Sequence, residues 1–434
     1  MGAAGIRPWR RQRIFRWIII LVAGAVMSAC SLVPVGSPHD SLNALPSFKP
    51  VRVPFFSVVH PYAIHAMWRL PWHASGRPQY PYHGALAGEN LWPMSLAAIY
   101  GVGSQWTWVV PVGGPLWTEG SGHGPTAIDV RVVSAALAQG MTMVVGAFTR
   151  KGTSVLLTVN GNSDMVRMTP WPVSVPAVGE EPGLGAGSGL AVTGKGGVWI
   201  GGGVVVAAAT PAPDGGMWGP LIHPILAEVT PSGRLIRKVV LSRIVTSVVT
   251  GETVGAHGTL WFGINNGRYD PADLVYDGAA ALVRWSPITG QMAVFPVPGG
   301  WGQNAVLDKI VPQGSTIWMS MQGDENGTGL GRPSFLLRFD SATDTWLPPY
   351  WVPHPGTIYA WTVGPDGSVV DVVVPMDSGV TVSLLEQNNR IMARGRRGAW
   401  MDGVGVVGSH VFVLVSGSSR TATRLIELAP RGGH

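Results

Sequence analysis

The stretch Val254–Gly263, VGAHGTLWFG, constrains the fold more than any other part of the chain. A glycine turn runs straight into a short apolar strand centred on Trp261, and degenerate copies recur along the chain. GVGSQWTWVVPV is centred on Trp108, GMTMVVGAF on Val145, GKGGVWIGGG on Trp199, QGSTIWMSMQG on Trp318, PDGSVVDVVVP on Val370 and VGSHVFVLVSG on Phe412. The intervals between central residues are 37, 54, 62, 57, 52 and 42. A second signature, a strand ending in a turn, follows several copies: AEVTPSGRLIRKVV, LVRWSPITGQMAVFPV, LLRFDSATDTWLPPY and RLIELAPRGG. Periods of roughly 40–60 residues built from four-strand units mark β-propellers. Counting copies predicts an all-β chain folded as a single β-propeller of seven four-stranded antiparallel blades, with six or eight as the alternatives.

Composition supports short strands joined by tight turns. The chain holds 60 Gly and 36 Pro yet is 46% hydrophobic and only 12% charged, whereas a disordered chain needs low hydrophobicity and high charge. Gly and Asp supply the turns, and apolar alternation on the strands faces neighbouring blades on both sides. Trp199, Trp261 and Trp318 are therefore expected in the core between blades.

The N-terminus reads as an address. Arg7–Arg16 carries five arginines and no acid, the short apolar run Trp17–Val26 follows, and Met27-Ser28-Ala29 leads to Cys30, the chain's single cysteine. A basic segment, a short apolar segment and small residues before a cleavage point define a secretory signal. The apolar run falls short of the ~20 residues that span a bilayer. The pattern resembles the lipobox of bacterial lipoproteins, which implies cleavage after residue 29 and acylation of Cys30. The plain alternative is a signal anchor with a bystander thiol. The expected organisation is a signal over residues 1–29, an acylated Cys30 with a Ser/Pro-rich tether to residue 50, and the propeller over 51–434. The chain is then held on the extracytoplasmic face of the cell membrane.

Without the signal, Lys and Arg number 25 against 24 acids, so the basic balance belongs to the signal and no nucleic-acid footprint remains. VRVPFFSVV, beginning at Val51, reads as a strand able to close the ring by pairing with the last sheet. His60–Trp92 follows as an aromatic, Pro-interrupted loop with His60, His65, His73 and His83 among its residues. Trp68, Trp72, His73, Tyr80 and Tyr82 are the candidate ligand-binding residues, for stacking a sugar or a peptide. A histidine metal site and a loop packed onto the first blade are the other readings.

The repeat units, over Gly189–Pro430, are similar to those of virginiamycin B lyase-like and two-component-regulator-type propellers, and more loosely to NHL-type repeats. The lyase resemblance implies a metal-assisted elimination by a His and a Glu-x-His pair. No Glu-x-His occurs in this chain, and the unit that would continue WFTE reads Trp261-Phe262-Gly263-Ile264, so that activity does not carry over.

Other chemistry is sparse. Gly189–Gly196 nearly matches a phosphate-binding loop, but Gly196 replaces the hydroxyl that would meet Mg²⁺ and a strand follows where a helix is needed. Two acidic loops offer oxygen ligands for Ca²⁺: Asp270, Asp273 and Asp277 in one, Asp324, Glu325 and Asn326 in the other. Asp270, Asp273 and Asp324 are the metal candidates. Glu119 and His123 lie in a Gly-rich turn that fixes no catalytic face, and no nucleophile elbow or H-E-x-x-H occurs. The sequence thus favours a non-catalytic binding or scaffolding module for a carbohydrate, peptide or protein partner. A ligand-sensing or assembly part of a membrane complex is a variant of that reading. A metal-dependent lyase, lactonase or hydrolase with its site at the central channel is the alternative. A binder should present an aromatic, charge-poor face, and an enzyme converging His, Asp or Glu at the channel mouth.

Overall fold

The computed structural model describes residues 56–69, 85–87, 90–92, 94–95, 98–102, 107–111, 130–138, 142–149, 153–160, 165–175, 177–178, 181–182, 190–192, 197–213, 215–255, 258–270, 275–323, 335–351, 356–364, 366–375, 383–386, 390–395, 399–407, 409–417 and 424–431. Every regular element among them is a β-strand or a β-bridge, apart from turns and bends and a single 3₁₀ residue at Gly258. Among the described residues there are seven sheets of four or five strands.

Five of these sheets take four antiparallel strands in chain order, the third and fourth with a small hairpin inserted between the second and third strands. The second holds Val130–Ala138, Thr142–Thr149, Ser154–Asn160 and Met165–Pro170, and the third Leu190–Val192, Val198–Ala207, Leu221–Val229 and Leu235–Val240. The fourth holds Val248–Val254, Leu260–Asn265, Ala280–Trp285 and Met292–Pro296. The fifth holds Ala305–Gln313, Thr316–Gly323, Phe335–Asp340 and Thr345–Trp351, and the sixth begins Gly356–Val363, Val369–Pro375, Ser383–Glu386 and Arg390–Gly395. The first sheet runs Ala85–Ala87, Asn90–Trp92 with Met94–Ser95, Ala98–Val102 and Thr107–Pro111. The seventh takes Ala399–Val407, His410–Gly417 and Arg424–Pro430 from the C-terminal end of the chain.

The first strand of each sheet touches the first strands of the sheets before and after it, and that of the seventh returns to that of the first. The result is a closed ring of first strands with the other strands radiating outwards. The chain is a β-propeller. Antiparallel order puts the first–second and third–fourth turns at one end of the ring. The second–third turns and the links between sheets lie at the other end.

Closure uses the N-terminal part of the chain. Tyr62–Arg69 pairs with Arg424–Pro430 and supplies the fourth strand that the seventh sheet lacks, while Phe56–Val58 pairs with the outer strand of the sixth, Phe56 opposite Gly395. The described part of the predicted closing strand therefore lies one sheet earlier than expected, and the strand that closes the ring comes from the segment read as an aromatic loop. Its prolines sit outside Tyr62–Arg69, so nothing in YAIHAMWR opposes a strand. The motifs around Val145, Trp199, Trp261, Trp318, Val370 and Phe412 all fall on second strands. The one around Trp108 does not: Trp108 lies on the outer strand Thr107–Pro111. Trp92, on the true second strand, restores an interval of 53 to Val145.

The second strands of the third, fourth and fifth sheets are buried on both faces because a sheet lies against each. Leu260–Asn265 is buried throughout, whereas the outer strand Leu235–Val240 is almost wholly exposed. Trp199, Trp261 and Trp318 are 1%, 3% and 5% exposed. Each packs into the following sheet: Trp199 edge-on to Trp285 at 5.3 Å, Trp261 beside Phe339 at 5.8 Å, and Trp318 in a cluster with Trp361 and Val369. An arginine covers each indole, Arg237 at 4.8 Å from Trp199, Arg284 at 5.6 Å from Trp261 and Arg338 at 5.4 Å from Trp318. Those guanidinium groups are tied down in turn, Arg237 to Glu228, Arg284 to Asp344 and Arg338 to the Pro348 carbonyl.

The turn residues do what their chemistry predicts. In SPITG, Gly290 takes a φ of 69° and donates to the Ser286 carbonyl at 2.8 Å. The Asp340 carboxyl accepts from the Ala342 amide and the Thr343 hydroxyl, which hold its pKa below the usual carboxylate value. The Ser368 hydroxyl and amide do the same for Asp366. A lowered carboxyl pKa stabilises the fold above its unfolded value, and that contribution is lost as pH falls through the folded pKa.

Gly263 shows why the LWFG unit ends as it does. A Cβ there would lie 2.7 Å from the Leu307 Cβ and 2.8 Å from the Thr250 hydroxyl, which itself donates to the Leu307 carbonyl of the next sheet. Gly263→Thr, the residue of the WFTE-type unit, is expected to destabilise the chain by about 1–3 kcal/mol through overpacking. Urea unfolding of the variant against the parent measures it.

Candidate functional site

The end of the ring that carries the second–third turns is where the chain adds material beyond the repeat. In the third sheet the strand Val198–Ala207 is too long for the core, and its burial stops after Gly203. Gly201, Gly202 and Gly203 sit under the link from the second sheet: Gly203 donates to the Ser174 carbonyl at 2.9 Å, and the Trp171 indole donates to the Gly201 carbonyl at 2.8 Å. A side chain at Gly202 would meet that link at 2.6 Å. Beyond the glycines, Val204, Val205 and Val206 are 43%, 50% and 45% exposed. Alternating strand residues point to opposite faces, so both faces of the strand are apolar here. Thr210–Pro211 and Met217–Trp218 pair above them as a small hairpin, with Met217 exposed. From Val204 to Pro220 the sequence holds a single charged residue, Asp214, which lies outside the described residues.

The fourth sheet makes a matching hairpin, Tyr269–Asp270 against Val275–Tyr276. Its two tyrosines stack at 4.6 Å and are buried with Val248 and Val306. The hairpins of the two sheets are tied to each other. Gly219 donates to the Tyr269 carbonyl at 2.6 Å, and the Arg268 guanidinium donates to the Ala208 carbonyl at 2.9 Å and the Gly219 carbonyl at 3.2 Å. The Asp277 carboxylate accepts from the Arg268 amide. Asn265, fully buried, donates to the carbonyls of Gly278 at 3.0 Å and Ala305 at 2.6 Å, and so fixes this hairpin to the fifth sheet. His223 bonds the Ile244 carbonyl at 2.7 Å in the link below. Arg268, Asn265 and Asp277 are thus consumed in holding the loops of this end, while Arg243 in the link between the third and fourth sheets is exposed.

Farther round, Trp301 in the link to the fifth sheet packs on Phe335 at 5.5 Å. Trp351 packs on the same ring at 4.8 Å and is 57% exposed. The described surface from the third to the fifth sheet is therefore largely aromatic and apolar, with Arg243 as an exposed charge. It suits the capture of an apolar or aromatic-stacking ligand.

The residues singled out in the sequence fare differently. Trp68 lies on the closing strand with its backbone opposite Leu425, but its side chain is outside the described residues. Cys30, Trp72, His73, Tyr80, Tyr82, Asp273 and Asp324 also lie outside the described residues. Asp270 pairs with Val275 through its backbone, its side chain not described, and Asp277 of the same acidic loop closes its hairpin onto Arg268. Among the described residues no group of three or more His, Cys, Asp or Glu stands together as a metal site. The near phosphate-binding loop runs into the strand Val198–Ala207, not a helix. Sequence reasoning missed the Val204–Val206 strand. Its signal was the run VVVAAA, continuing an apolar strand past the length its sheet can bury.

No family model matches the chain, and no curated protein matches it. Among solved structures it is similar to the WD40 domain of Neurospora crassa Pan2, at a TM-score of 0.48 and 9% identity over 86% of this chain and 96% of that one. A chain of the mitotic checkpoint complex gives 0.47 and 10%, over 88% and 98% of the two chains. The extracellular domain of the putative one component system BT4673 from B. thetaiotaomicron gives 0.44 and 11% over 83% of this chain. This chain spans 40% of that structure's length.

Arg268→Ala is expected to release the two hairpins from one another. Hydrogen exchange of the amides from Met217 to Gly219 should quicken by at least tenfold while strand amides of the sixth and seventh sheets stay protected.

Proposed function

We propose that the chain is a membrane-anchored, extracytoplasmic β-propeller lipoprotein that acts as a binding or scaffolding module for a carbohydrate, peptide or protein partner. The observation that carries this reading is the end of the ring built by the third to fifth sheets. There, Val204, Val205 and Val206 of the overlong strand, Met217 of the small hairpin and Trp351 of the fifth sheet are exposed, and the Arg268 guanidinium between the hairpins is already bonded to backbone carbonyls. Loops fixed on a rigid ring suit recognition. An exposed cluster of large apolar side chains on a folded surface marks a contact site. The signal-like N-terminus and Cys30 support the anchor.

Binding is tested by tryptophan fluorescence of the chain titrated with a panel of glycans and extended peptides. A ligand of this face should lose at least tenfold in affinity, about 1.4 kcal/mol, on Val205→Asp and on Trp351→Ala, with the unfolding midpoint unchanged. Affinity that survives both substitutions moves recognition to another surface. The anchor is tested separately: Cys30→Ser is expected to shift the protein from the membrane to the soluble fraction and to abolish its labelling by a palmitate analogue.

A further inference from the structure

Ring closure brings together three groups that the recognition face does not use. His410 opens the second strand of the seventh sheet, Glu427 lies on its third strand, and His65 lies on the N-terminal strand that completes it. The register across this junction is interrupted at one place. Ile64 pairs with Leu428 and Ala66 with Glu427, which leaves His65 as the extra, unpaired residue of a β-bulge. Bulges re-aim a side chain, and they gather beside functional sites. Here the bulge sets the imidazole of His65 5.3 Å from that of His410, at an interplanar angle of 85°.

Glu427 is 8% exposed in a sheet whose other buried side chains, among the described residues, are apolar, and its carboxylate bonds Nδ1 of His410 at 2.5 Å. With Nδ1–H donating to the carboxylate, the neutral ring keeps its lone pair on Nε2. A carboxylate on one ring nitrogen is the arrangement that orients a metal-binding histidine and raises its basicity. His65 is exposed and has no hydrogen-bond partner among the described residues, so its ring nitrogens are available as well. The spacing fits one ion between the rings. Two imidazoles bound at ~2.0–2.1 Å to a tetrahedral Zn²⁺ place their ring centres about 5.2 Å apart.

We propose that His65 and His410 bind one divalent transition-metal ion, with Glu427 as the positioning residue for His410 and water completing the coordination. Imidazole donors select Zn²⁺, Cu²⁺ or Ni²⁺ over Ca²⁺ and Mg²⁺. The ion would clip the N-terminal closing strand to the C-terminal strands it pairs with. His410 follows a first–second turn, so the site lies at the end of the ring away from the recognition face and stands independently of it.

The test is titration of the untagged full-length chain in detergent with Zn²⁺, by calorimetry and by thermal unfolding with and without EDTA. One equivalent is expected to bind at this site and raise the unfolding midpoint, reversibly by EDTA, while Ca²⁺ does neither. His65→Ala, an exposed substitution, should keep the metal-free midpoint and lose at least tenfold in the affinity of that equivalent. Glu427→Gln should weaken it by about 10–100-fold, and a Co²⁺-loaded parent should lose its visible absorption band on His65→Ala. The absence of saturable Zn²⁺ binding overturns the proposal. So does Zn²⁺ binding that His65→Ala leaves intact, since other histidines of the chain would then hold the ion. Glycan or peptide binding at the opposite end is expected to be the same in His65→Ala and the parent, so failure of one reading leaves the other standing.

Discussion

The packing of one second-strand tryptophan into the following sheet is the interaction on which the rest of this structure depends. No sheet here can bury both of its faces alone, and the second strands are apolar on both. Trp199, Trp261 and Trp318 each fill the space between their own sheet and the next, so that three successive junctions repeat one arrangement of indole, arginine and partner ring. Magnitudes rank the contributions. Removing a buried Trp side chain costs about 3–5 kcal/mol, whereas an exposed cation–π contact adds about 0.5–1 kcal/mol and a surface ion pair about 0–1 kcal/mol. The arginines cover the indoles and order the outer strands, but apolar packing holds the junctions.

A ring built this way has one weak place, where the chain's two ends must meet. The seventh sheet would leave Arg424–Pro430 as an edge strand, with a row of unpaired amides and carbonyls open to any passing chain. Tyr62–Arg69 removes that edge, and Tyr62 enters the same buried cluster as Val413, Ile426 and Leu428. Phe56–Val58 then continues onto the sixth sheet, so the N-terminal segment spans two sheets at the junction. The bulge at His65 sits in the middle of this closure, where a single added contact bears on the whole ring.

The opposite end of the ring shows what a rigid frame permits. The hairpins of the third and fourth sheets are bonded to one another through Arg268 and to the fifth sheet through Asn265, so their own polar groups are consumed internally. Among the described residues, what this end leaves exposed is largely apolar, with Arg243 beside it. Val204–Val206 is tolerable there because the backbone beneath it is paired: Val204 lies opposite His223 and Val205 opposite Ile222.

Much of this was legible in the sequence. The Gly-turn–apolar-strand unit and the third-strand hairpins follow from local rules. A positive φ wants glycine, an Asp carboxylate caps its own turn, and a strand covered on both faces has no polar alternation. Six of seven second strands and all three core tryptophans are readable on those grounds. The exceptions have one cause. Trp108 imitates the repeat because an outer strand of the first sheet carries the same residue types, and only pairing with Ala98–Val102 shows its place. YAIHAMWR gave no sign of its partner, since a strand's sequence fixes its two faces but not which distant edge it meets. The meeting of His65, His410 and Glu427 depends on residues more than 300 positions apart and on a one-residue bulge in register. Local chemistry determined the strands and turns of this protein. Which edges met, and which side chains they brought together, was decided by closing the ring, because burial of both faces of every sheet is satisfied only when the last sheet finds the first.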